Sequence, residues 1–369
     1  MNYEKKNILI IWEGLPACSL LISELIYEKD ISLDLAFTNP KVPFKNIKEN
    51  FKGINRIIEL SDLDEISKIK KLDFYHLVIC TGWKSRITNK LLLRRKKINK
   101  SAINVCAIDN TISPDFCFNS EGALSGTILK QIFGAIYYRF FLKKVFDYSF
   151  VPGNSSSLLM RLFGHRSDLI INGYYGAYEN IYFSNNVFQE KENQFLYVGQ
   201  LIERKGIKLL INSFMKYLKN NGTWKLLIIG GKESEFLKIC PFEFKNYIKH
   251  IPFLQPNEIA EKMRNSKCFI LPSLYDHWGT VLCEAALTGS LLIASDQSGS
   301  STDLIKKGIN GFTFNSKSKK SEEILSKLMY KIEKISNHKD AHQRSEISTR
   351  LASTYSSSSY KLAIKAMLE

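Results

Sequence analysis

Two acidic residues stand eight positions apart where a strand-like run gives way to a helix-like one, in the segment 271–289. Asp276 lies in the connecting loop, and Glu284 lies within the first turns of the following helical pattern. A carboxylate near a helix N-terminus is stabilised by the helix dipole, and its two oxygens can accept hydrogen bonds from vicinal hydroxyl groups. The spacing therefore indicates a site for the hydroxyls of a sugar or a ribose.

A second candidate site follows the first strand of the same half of the chain. The run Tyr197–Ile207 is typical of a strand, a loop beginning at Gly199 and the start of a helix. Arg204 and Lys205 stand in this loop, where the helix dipole already favours negative charge. Two cations beside unpaired backbone N–H groups predict a cradle for a diphosphate, and a solvent-exposed basic loop is the alternative interpretation.

The first half of the chain offers two weaker candidates at strand ends. Gly14 follows the first strand and could let the backbone approach an anionic ligand. Asp109, after a later strand, is placed to reach a sugar or an acceptor. Neither GxGxxG nor GxxxxGK[ST] occurs anywhere in the chain, so the dinucleotide fingerprint and the NTPase phosphate loop are both absent.

Short apolar, β-branched runs alternate with longer amphipathic runs throughout the sequence. Near-continuous apolar strands indicate burial on both faces, which is typical of parallel sheets covered by helices. The predicted helices include Leu15–Lys29, Ser125–Lys143, Ile207–Lys219 and Asn257–Asn265. The predicted strands are Asn7–Trp12, Ile31–Phe37, Ile54–Glu59, Phe74–Cys80, Ala102–Ala107, Tyr148–Val151, Gln194–Val198, Trp224–Gly230, Tyr247–Phe253, Cys268–Leu271, Leu291–Ser295 and Phe312–Phe314.

Two successive βαβ series predict an α/β protein of two Rossmann-like, doubly wound domains, as the length of 369 residues also suggests. We predict a first domain over 1–176, a linker over 177–193 and a second domain over 194–352. A C-terminal helix over 353–369 is expected to pack back on the first domain. Ligands should lie in a cleft where the two domains face each other.

The sequence resembles the retaining glycosyltransferases of family 4, which have the GT-B fold. The similarity lies in VGQLIERKG at 198–206, LPSLYDHWGTVLCEAALTG at 271–289 and SDQSGSSTDLI with GINGF over 295–312. The first half matches more loosely, through IWEGLPA at 11–17 and FVPG at 150–153. This combination resembles bacterial enzymes of surface-polysaccharide assembly.

The resemblance implies that the first domain, 1–176, binds the acceptor and that the second, 194–352, binds the nucleotide sugar. It also assigns roles to individual residues. It implies that Glu284 binds the ribose of the donor, that Lys205 binds its diphosphate, and that the backbone amides of Thr280 and Val281 meet a phosphate. Asp276 stands where the family usually has a glutamate that addresses the donor sugar. The usual partner arginine is replaced by Gln200, and Arg204 is expected to supply the missing charge. The resemblance also implies retention by front-face attack, with neither a bound metal nor a cofactor.

The net charge of +16 points to anionic partners. Eight basic residues and no acid lie in 84–100, and a mixed aromatic and basic stretch covers 137–144. We predict that these segments bind an anionic membrane surface, with solvent-exposed helix faces as the alternative. No nucleic-acid motif occurs, no apolar run is long enough to span a membrane, and no signal peptide is evident. A cytoplasmic enzyme at the inner face of the plasma membrane is therefore expected.

The predicted function is transfer of a sugar from a UDP-, GDP- or ADP-linked donor to a hydroxyl of a glycan or a polyprenyl-diphosphate-linked acceptor. The expected process is the synthesis of O-antigen, capsule or exopolysaccharide. A nicotinamide-dependent dehydrogenase is less favoured because its glycine motif is missing. The remaining alternative is a catalytically degenerate GT-B scaffold or a membrane-binding protein.

Overall fold

The computed structural model describes residues 5–13, 17–38, 51, 53–69, 71–109 and 126–369. The chain divides into two compact units. The first combines Met1–Tyr175 with Ser357–Glu369, and the second is Gly176–Ser356. Each unit contains one parallel sheet with helices, which confirms the prediction of an α/β protein with two Rossmann-like domains.

The sheet of the first unit has seven parallel strands in the part of the chain that the structure describes, and its strand order reverses beside the first strand. Strand β1 lies at the centre of the sheet, since it pairs with parallel neighbours on both sides. Its sequence is KNILIIW, and the last five residues, all apolar, are buried. From edge to edge the strands are β3 (Arg56–Leu60), β2 (Ile31–Thr38), β1 (Lys6–Trp12), β4 (Leu77–Thr81), β5 (Ile103–Ala107), β6 (Tyr148–Val151) and β7 (Ile170–Asn172).

Within the described residues of the first unit, four helices connect these strands and a fifth comes from beyond the second unit. The first four are α1 (Ser23–Ile26), α2 (Arg86–Ile98), α3 (Gly126–Tyr137) and α4 (Asn154–Leu162). The helix predicted over Leu15–Lys29 is wrong in extent, because a 3₁₀ turn over Ala17–Ile22 precedes the single turn of α1. The last helix, Ser357–Leu368, buries Tyr360, Ile364 and Met367 in the core of the first unit.

The second unit repeats this plan with six parallel strands in the order β10 (Ile248–Ile251), β9 (Lys225–Ile229), β8 (Glu192–Val198), β11 (Ser266–Leu271), β12 (Leu291–Ser295) and β13 (Gly311–Phe314). The order reverses between β8 and β11, and ligands of doubly wound sheets bind beyond the strand ends at such a point. The helices are α5 (Glu179–Tyr182), α6 (Ile207–Lys219), α7 (Glu233–Ile239), α8 (Pro256–Asn265), α9 (Thr280–Leu287), α10 (Ser301–Leu304), α11 (Ser321–Ser336) and α12 (Ala341–Ser353), and the C-terminal helix of the first unit is α13.

The segment 177–193, predicted as a linker, belongs to the second unit instead. It contains α5, a 3₁₀ turn over Phe188–Glu190 and the first residues of β8. Phe188 is fully buried in the core of that unit, and α5 packs against α8 and α9. The Asn, Glu and Gln residues in which this segment is rich occupy mostly exposed positions between these buried anchors.

The basic segment 84–100 forms α2 and its flanks, and two of its cations do not face the solvent. Arg95 is 1% exposed, and its guanidinium donates to the carbonyl oxygens of Leu72 and Ile103, each at 3.0 Å. Lys96 is half-buried and forms an ion pair with Asp147. Arg95 and Lys96 are therefore engaged within the first unit, and the prediction that this segment binds an anionic membrane surface rests on its other basic residues. Among the described residues, no helix combines the length and the apolar character needed to cross a bilayer.

Candidate active site

The loop between β11 and α9 is shaped by a glycine at its end. Gly279 has φ +82°, and a Cβ atom there would lie 2.7 Å from Ser298 Oγ and 2.8 Å from Leu271 Cδ2. Only glycine fits this left-handed, crowded position without displacement. The turn directs the chain into α9, whose first backbone N–H groups, including those of Thr280 and Val281, have no partner within the helix. The N-terminus of α9 is therefore suited to an anion.

The loop after β8 lies against the loop after β11. Gly206 has φ +69°, and a Cβ atom there would lie 2.0 Å from the carbonyl oxygen of Pro272. The backbone N–H of Leu274 donates to the carbonyl oxygen of Arg204 at 2.9 Å. The guanidinium of Arg204 returns a hydrogen bond to the carbonyl oxygen of Tyr275 at 3.0 Å. These contacts fix the basic loop beside the acidic one.

Lys205 and Asp276 meet directly across these two loops. Lys205 Nζ lies 2.5 Å from Asp276 Oδ2, and the two side chains are 18% and 13% exposed. The pair brings together two site residues that lie 71 positions apart in the sequence. Because the ammonium group has three donors, Lys205 can hold the carboxylate and still offer hydrogen bonds to a second anion.

A third loop, after β12, supports Asp276 from its backbone. The N–H of Asp276 donates to the carbonyl oxygen of Gln297 at 3.0 Å, and its own carbonyl accepts from the N–H of Gly299 at 3.1 Å. Ser298 Oγ donates to the carbonyl oxygen of Trp278 at 3.0 Å. The three sequence segments that carried the family resemblance therefore converge at the carboxyl ends of β8, β11 and β12.

Glu284 lies on α9 beside a tyrosine that the sequence analysis did not single out. Burial raises the pKa of the Glu284 carboxyl to about 7, and a hydrogen bond from Tyr182 opposes that rise. Tyr182 comes from α5, is 5% exposed and has a pKa well above its usual value, chiefly because it is buried. The only signal in the sequence was an apolar-aromatic pair, Ile181 and Tyr182, inside a polar segment.

Gly199 and Gln200 occupy the start of the basic loop. A Cβ atom on Gly230 would lie 2.2 Å from the carbonyl oxygen of Gly199, so the ends of β8 and β9 approach closely. The backbone carbonyl of Gln200 accepts a hydrogen bond from Tyr197 Oη at 2.7 Å, and its side chain is exposed. Arg204 is also exposed, which leaves its charge available to a ligand at this edge.

The remaining predicted site residues belong to the first unit. Asp109 follows the carboxyl end of β5, is partly exposed, and accepts a hydrogen bond on its backbone carbonyl from Ser156 Oγ at 3.4 Å. Gly14 lies outside the described residues. Over the described part of the chain, no group of three or more His, Cys, Asp or Glu side chains is arranged to hold a metal ion.

Comparison with known proteins places this site in a recognised domain. Residues 179–347 match the family model described as glycosyl transferases group 1. The chain is 27% identical over 137 residues to the uncharacterized glycosyltransferase MJ1607 of Methanocaldococcus jannaschii. This match covers 36% of this chain and 35% of that protein. It is 27% identical over 149 residues to the capsular polysaccharide biosynthesis glycosyltransferase CapM of Staphylococcus aureus, covering 37% and 38%. The chain thus spans little more than a third of the length of these curated relatives.

The fold as a whole is similar to that of solved glycosyltransferases. Anabaena Alr3699/HepE, in complex with UDP-glucose, superposes with a TM-score of 0.68 at 14% identity, covering 98% of this chain and 99% of that one. The matched family segment contains Lys205, Asp276 and Glu284 and lies within the second unit. Residues 179–347 therefore form a glycosyl transferases group 1 domain, in a chain that has the GT-B fold.

Proposed function

We propose that this protein transfers a sugar from a nucleotide-sugar donor to a hydroxyl of a glycan or lipid-linked glycan in the assembly of a cell-surface polysaccharide. The observation that carries the proposal is the contact of Lys205 with Asp276 in loops that adjoin the N-terminus of α9. In this arrangement a cation lies near the backbone amides at the start of α9, and both kinds of group bind phosphate. Acidic groups that can accept hydrogen bonds from sugar hydroxyls lie beside them.

Each residue then has a task in the proposed reaction. Lys205, Arg204 and the amides of Thr280 and Val281 bind the diphosphate and stabilise the negative charge that grows on it as it leaves. Glu284 accepts hydrogen bonds from the ribose hydroxyls. Asp276 faces the donor sugar while it orients Lys205. Asp109 is assigned to the sugar or the acceptor from the first unit.

The proposed chemistry retains the configuration of the donor sugar. The bond between the sugar C1 and the diphosphate oxygen breaks, and the acceptor oxygen bonds to C1 on the same face. The acceptor proton goes to the departing phosphate oxygen. Cationic side chains and helix amides supply the charge stabilisation in this scheme, with no metal ion assigned a role.

Two relatives support the choice of substrates. Anabaena Alr3699/HepE was solved with UDP-glucose, which favours a uridine nucleotide as the donor carrier. The name of CapM includes capsular polysaccharide biosynthesis, which favours a surface polysaccharide as the product. We infer a membrane-peripheral enzyme at the cytoplasmic face, where a lipid-linked acceptor would be met.

The direct test is nucleotide binding followed by turnover. Calorimetry of the full chain with UDP, GDP and ADP should identify one preferred diphosphate. Lys205→Ala should weaken its binding by about 10- to 150-fold, because a charge-assisted hydrogen bond is worth about 1.5–3 kcal/mol. Lys208→Ala, an exposed lysine on α6, is the matched control and should bind as the wild type does. If none of the three diphosphates binds, the proposal is wrong.

A degenerate scaffold is the second candidate, and the replacement of the family's arginine by Gln200 favours it. Both candidates would bind the diphosphate, but only an enzyme would cleave the nucleotide sugar. An enzyme should slowly hydrolyse the preferred nucleotide sugar even without an acceptor, and Glu284→Ala should abolish this hydrolysis. A chain that binds the diphosphate but never cleaves the sugar would be a scaffold.

A further inference from the structure

The outward side of α3 is apolar, which is the reverse of an ordinary surface helix. Five large hydrophobic side chains on α3 and the π-helical turn that follows it, Tyr138–Leu142, are about half or more exposed. Soluble proteins seldom leave so many contiguous apolar side chains in water unless the surface binds something. We name this surface the α3 face: Ile132 (49% exposed), Phe133 (66%), Ile136 (48%), Phe140 (70%) and Phe141 (58%).

The opposite side of the same helix is firmly seated in the first unit. A Cβ atom on Gly134 would lie 3.0 Å from the Trp83 ring, so the helix backbone rests against that side chain. Tyr138 is fully buried, its ring 5.5 Å from that of Phe163 and 6.1 Å from that of Trp83. The core-facing side of α3 is therefore already packed, and the α3 face is its solvent-facing side.

Positive charge borders the α3 face. Arg139, Lys143 and Lys144 are exposed at its C-terminal end, and the sequence from Gly126 to Phe146 contains no acidic residue. The stem of Arg139 lies against Gly164, where a Cβ atom would be 3.3 Å from Arg139 Cγ, so its charged end is directed outward from a fixed base. Two copies of this face would bring like charges together, whereas an anionic bilayer offers both an apolar interior and the complementary charge.

We propose that the α3 face docks on an anionic lipid bilayer, with its phenylalanine and isoleucine side chains at the acyl boundary and its basic residues among the headgroups. This inference deepens the proposed function by naming the surface that meets a lipid-linked acceptor, and it rests on that function for its biological purpose. The binding itself follows from the exposed residues of the first unit alone.

The basic row on α2 would bind an anionic surface in a different way from the α3 face. The exposed cations of α2 include Arg86, Lys90, Arg94 and Lys97, which lie three or four positions apart along one side of the helix. Charge alone gives binding that salt removes over a Debye length of about 10 Å. Apolar insertion gives a component that salt does not remove, so the α3 face predicts membrane binding that persists at high salt.

The test is co-sedimentation of the full chain with vesicles of phosphatidylcholine alone or with 30% phosphatidylglycerol, at about 50 and about 300 mM NaCl. Phe133→Ser with Phe140→Ser should reduce the partition coefficient at least about tenfold at both salt concentrations, because two exposed aromatic rings lose their burial. Arg139→Gln, Lys143→Gln and Lys144→Gln together should weaken binding only to the anionic vesicles and mainly at low salt. Phe74→Ser with Phe242→Ser removes two rings elsewhere that are 61% and 83% exposed, and it is the matched control.

Two results would overturn the proposal. In one, Phe133→Ser with Phe140→Ser sediments with anionic vesicles as fully as the control does. In the other, analytical ultracentrifugation shows a wild-type dimer that this variant converts to a monomer, which would make the α3 face a self-association surface. Circular dichroism and urea unfolding, measured on the same preparations, check that the first unit of each variant is folded. Wild-type chain that binds vesicles but no nucleotide would refute the proposed function and leave the docking inference standing.

Discussion

The carboxylate of Asp276 has two opposed effects on its neighbour. It fixes the ammonium group of Lys205 at 2.5 Å, and it also neutralises the charge that a diphosphate would seek. A glutamate, with one more methylene, could reach past the lysine toward a sugar, whereas the shorter aspartate is held in the ion pair. The presence of an aspartate in place of the family's glutamate therefore couples contact with the donor sugar to the ion pair of Lys205.

We expect Asp276→Asn to separate binding from transfer. Removing the negative charge removes its repulsion of the diphosphate, so the dissociation constant of the preferred nucleoside diphosphate should stay unchanged or fall. Transfer should drop by about 10- to 150-fold, since a charge-assisted hydrogen bond is lost. Asp276→Glu, the control that keeps the charge, should be tolerated or improve activity. If Asp276→Asn weakens diphosphate binding as much as Lys205→Ala does, the carboxylate acts mainly by holding the lysine.

Glu284 should make donor binding depend on pH in the neutral range. Its pKa of about 7 leaves it half protonated at neutrality, and only the carboxylate can accept both ribose hydrogen bonds. Affinity should therefore rise as the pH increases through about 7. By linkage, the same raised pKa lowers folding stability as the pH rises from 4.5 to about 7, because the folded state holds a proton that the unfolded chain releases.

Calorimetric titrations of the nucleoside diphosphate between pH 5.5 and 8.5 check this expectation. Tyr182→Phe removes the hydrogen bond that lowers the pKa of Glu284, so the midpoint should move to higher pH. Glu284→Gln has no titrating carboxyl at this position, so its profile gives the pH dependence that comes from the phosphate groups of the nucleotide. A wild-type profile identical to that of Glu284→Gln would show that the carboxyl does not titrate in this range.

At the scale of elements, α2 contains a buried charged side chain, Arg95, that stabilises the first unit. Arg95 lies three residues after the buried Leu92 and seven after the buried Thr88, so helical spacing turns it inward. Its guanidinium donates to four backbone carbonyls, those of Leu72, Tyr75, His76 and Ile103, and to the side chain of Asn104. Burial lowers the pKa of this group to about 10, which leaves it charged at neutral pH.

Arg95→Met should destabilise the first unit. The methionine fills part of the volume but leaves several buried carbonyls without a donor, each at about 1–3 kcal/mol. We therefore expect a loss of about 3 kcal/mol or more in the free energy of unfolding, measured with urea. Arg94→Gln, on the exposed side of the same helix, should change stability by less than about 0.5 kcal/mol. Equal effects of the two substitutions would mean that the buried network contributes nothing.

The helices and strands with regular patterns could be predicted from the sequence. The helix over Ile207–Lys219 and the strand over Tyr148–Val151 have the predicted bounds, because a strong apolar periodicity or a short β-branched run decides each locally. Strand β7 was missed because it has three residues and is only partly buried. The contact of Tyr182 with Glu284 joins residues about a hundred positions apart, and no local pattern can reveal such a pair.

On the scale of the whole molecule, the alternation of strand and helix sufficed to predict the fold class. The division into units depends on contacts between segments that are distant in sequence. The second unit ends at Ser356, and the next residue begins α13, which belongs to the first unit. The core of the first unit is thus completed by a helix that follows the whole second unit in the sequence.

This arrangement makes the stability of the first unit sensitive to α13. Ile364 is fully buried in a cluster that includes Trp12, Leu21 and Phe150, while Leu362 on the same helix is 64% exposed. Ile364→Ala should cost about 2–5 kcal/mol, and Leu362→Ala less than about 0.5 kcal/mol. Hydrogen exchange should show the lost protection in β1 and β6 and leave β8 and β11 unchanged. If Ile364→Ala instead loosened the strands of the second unit, α13 would act on that unit as well, and the division of the chain into two separately packed cores would be wrong.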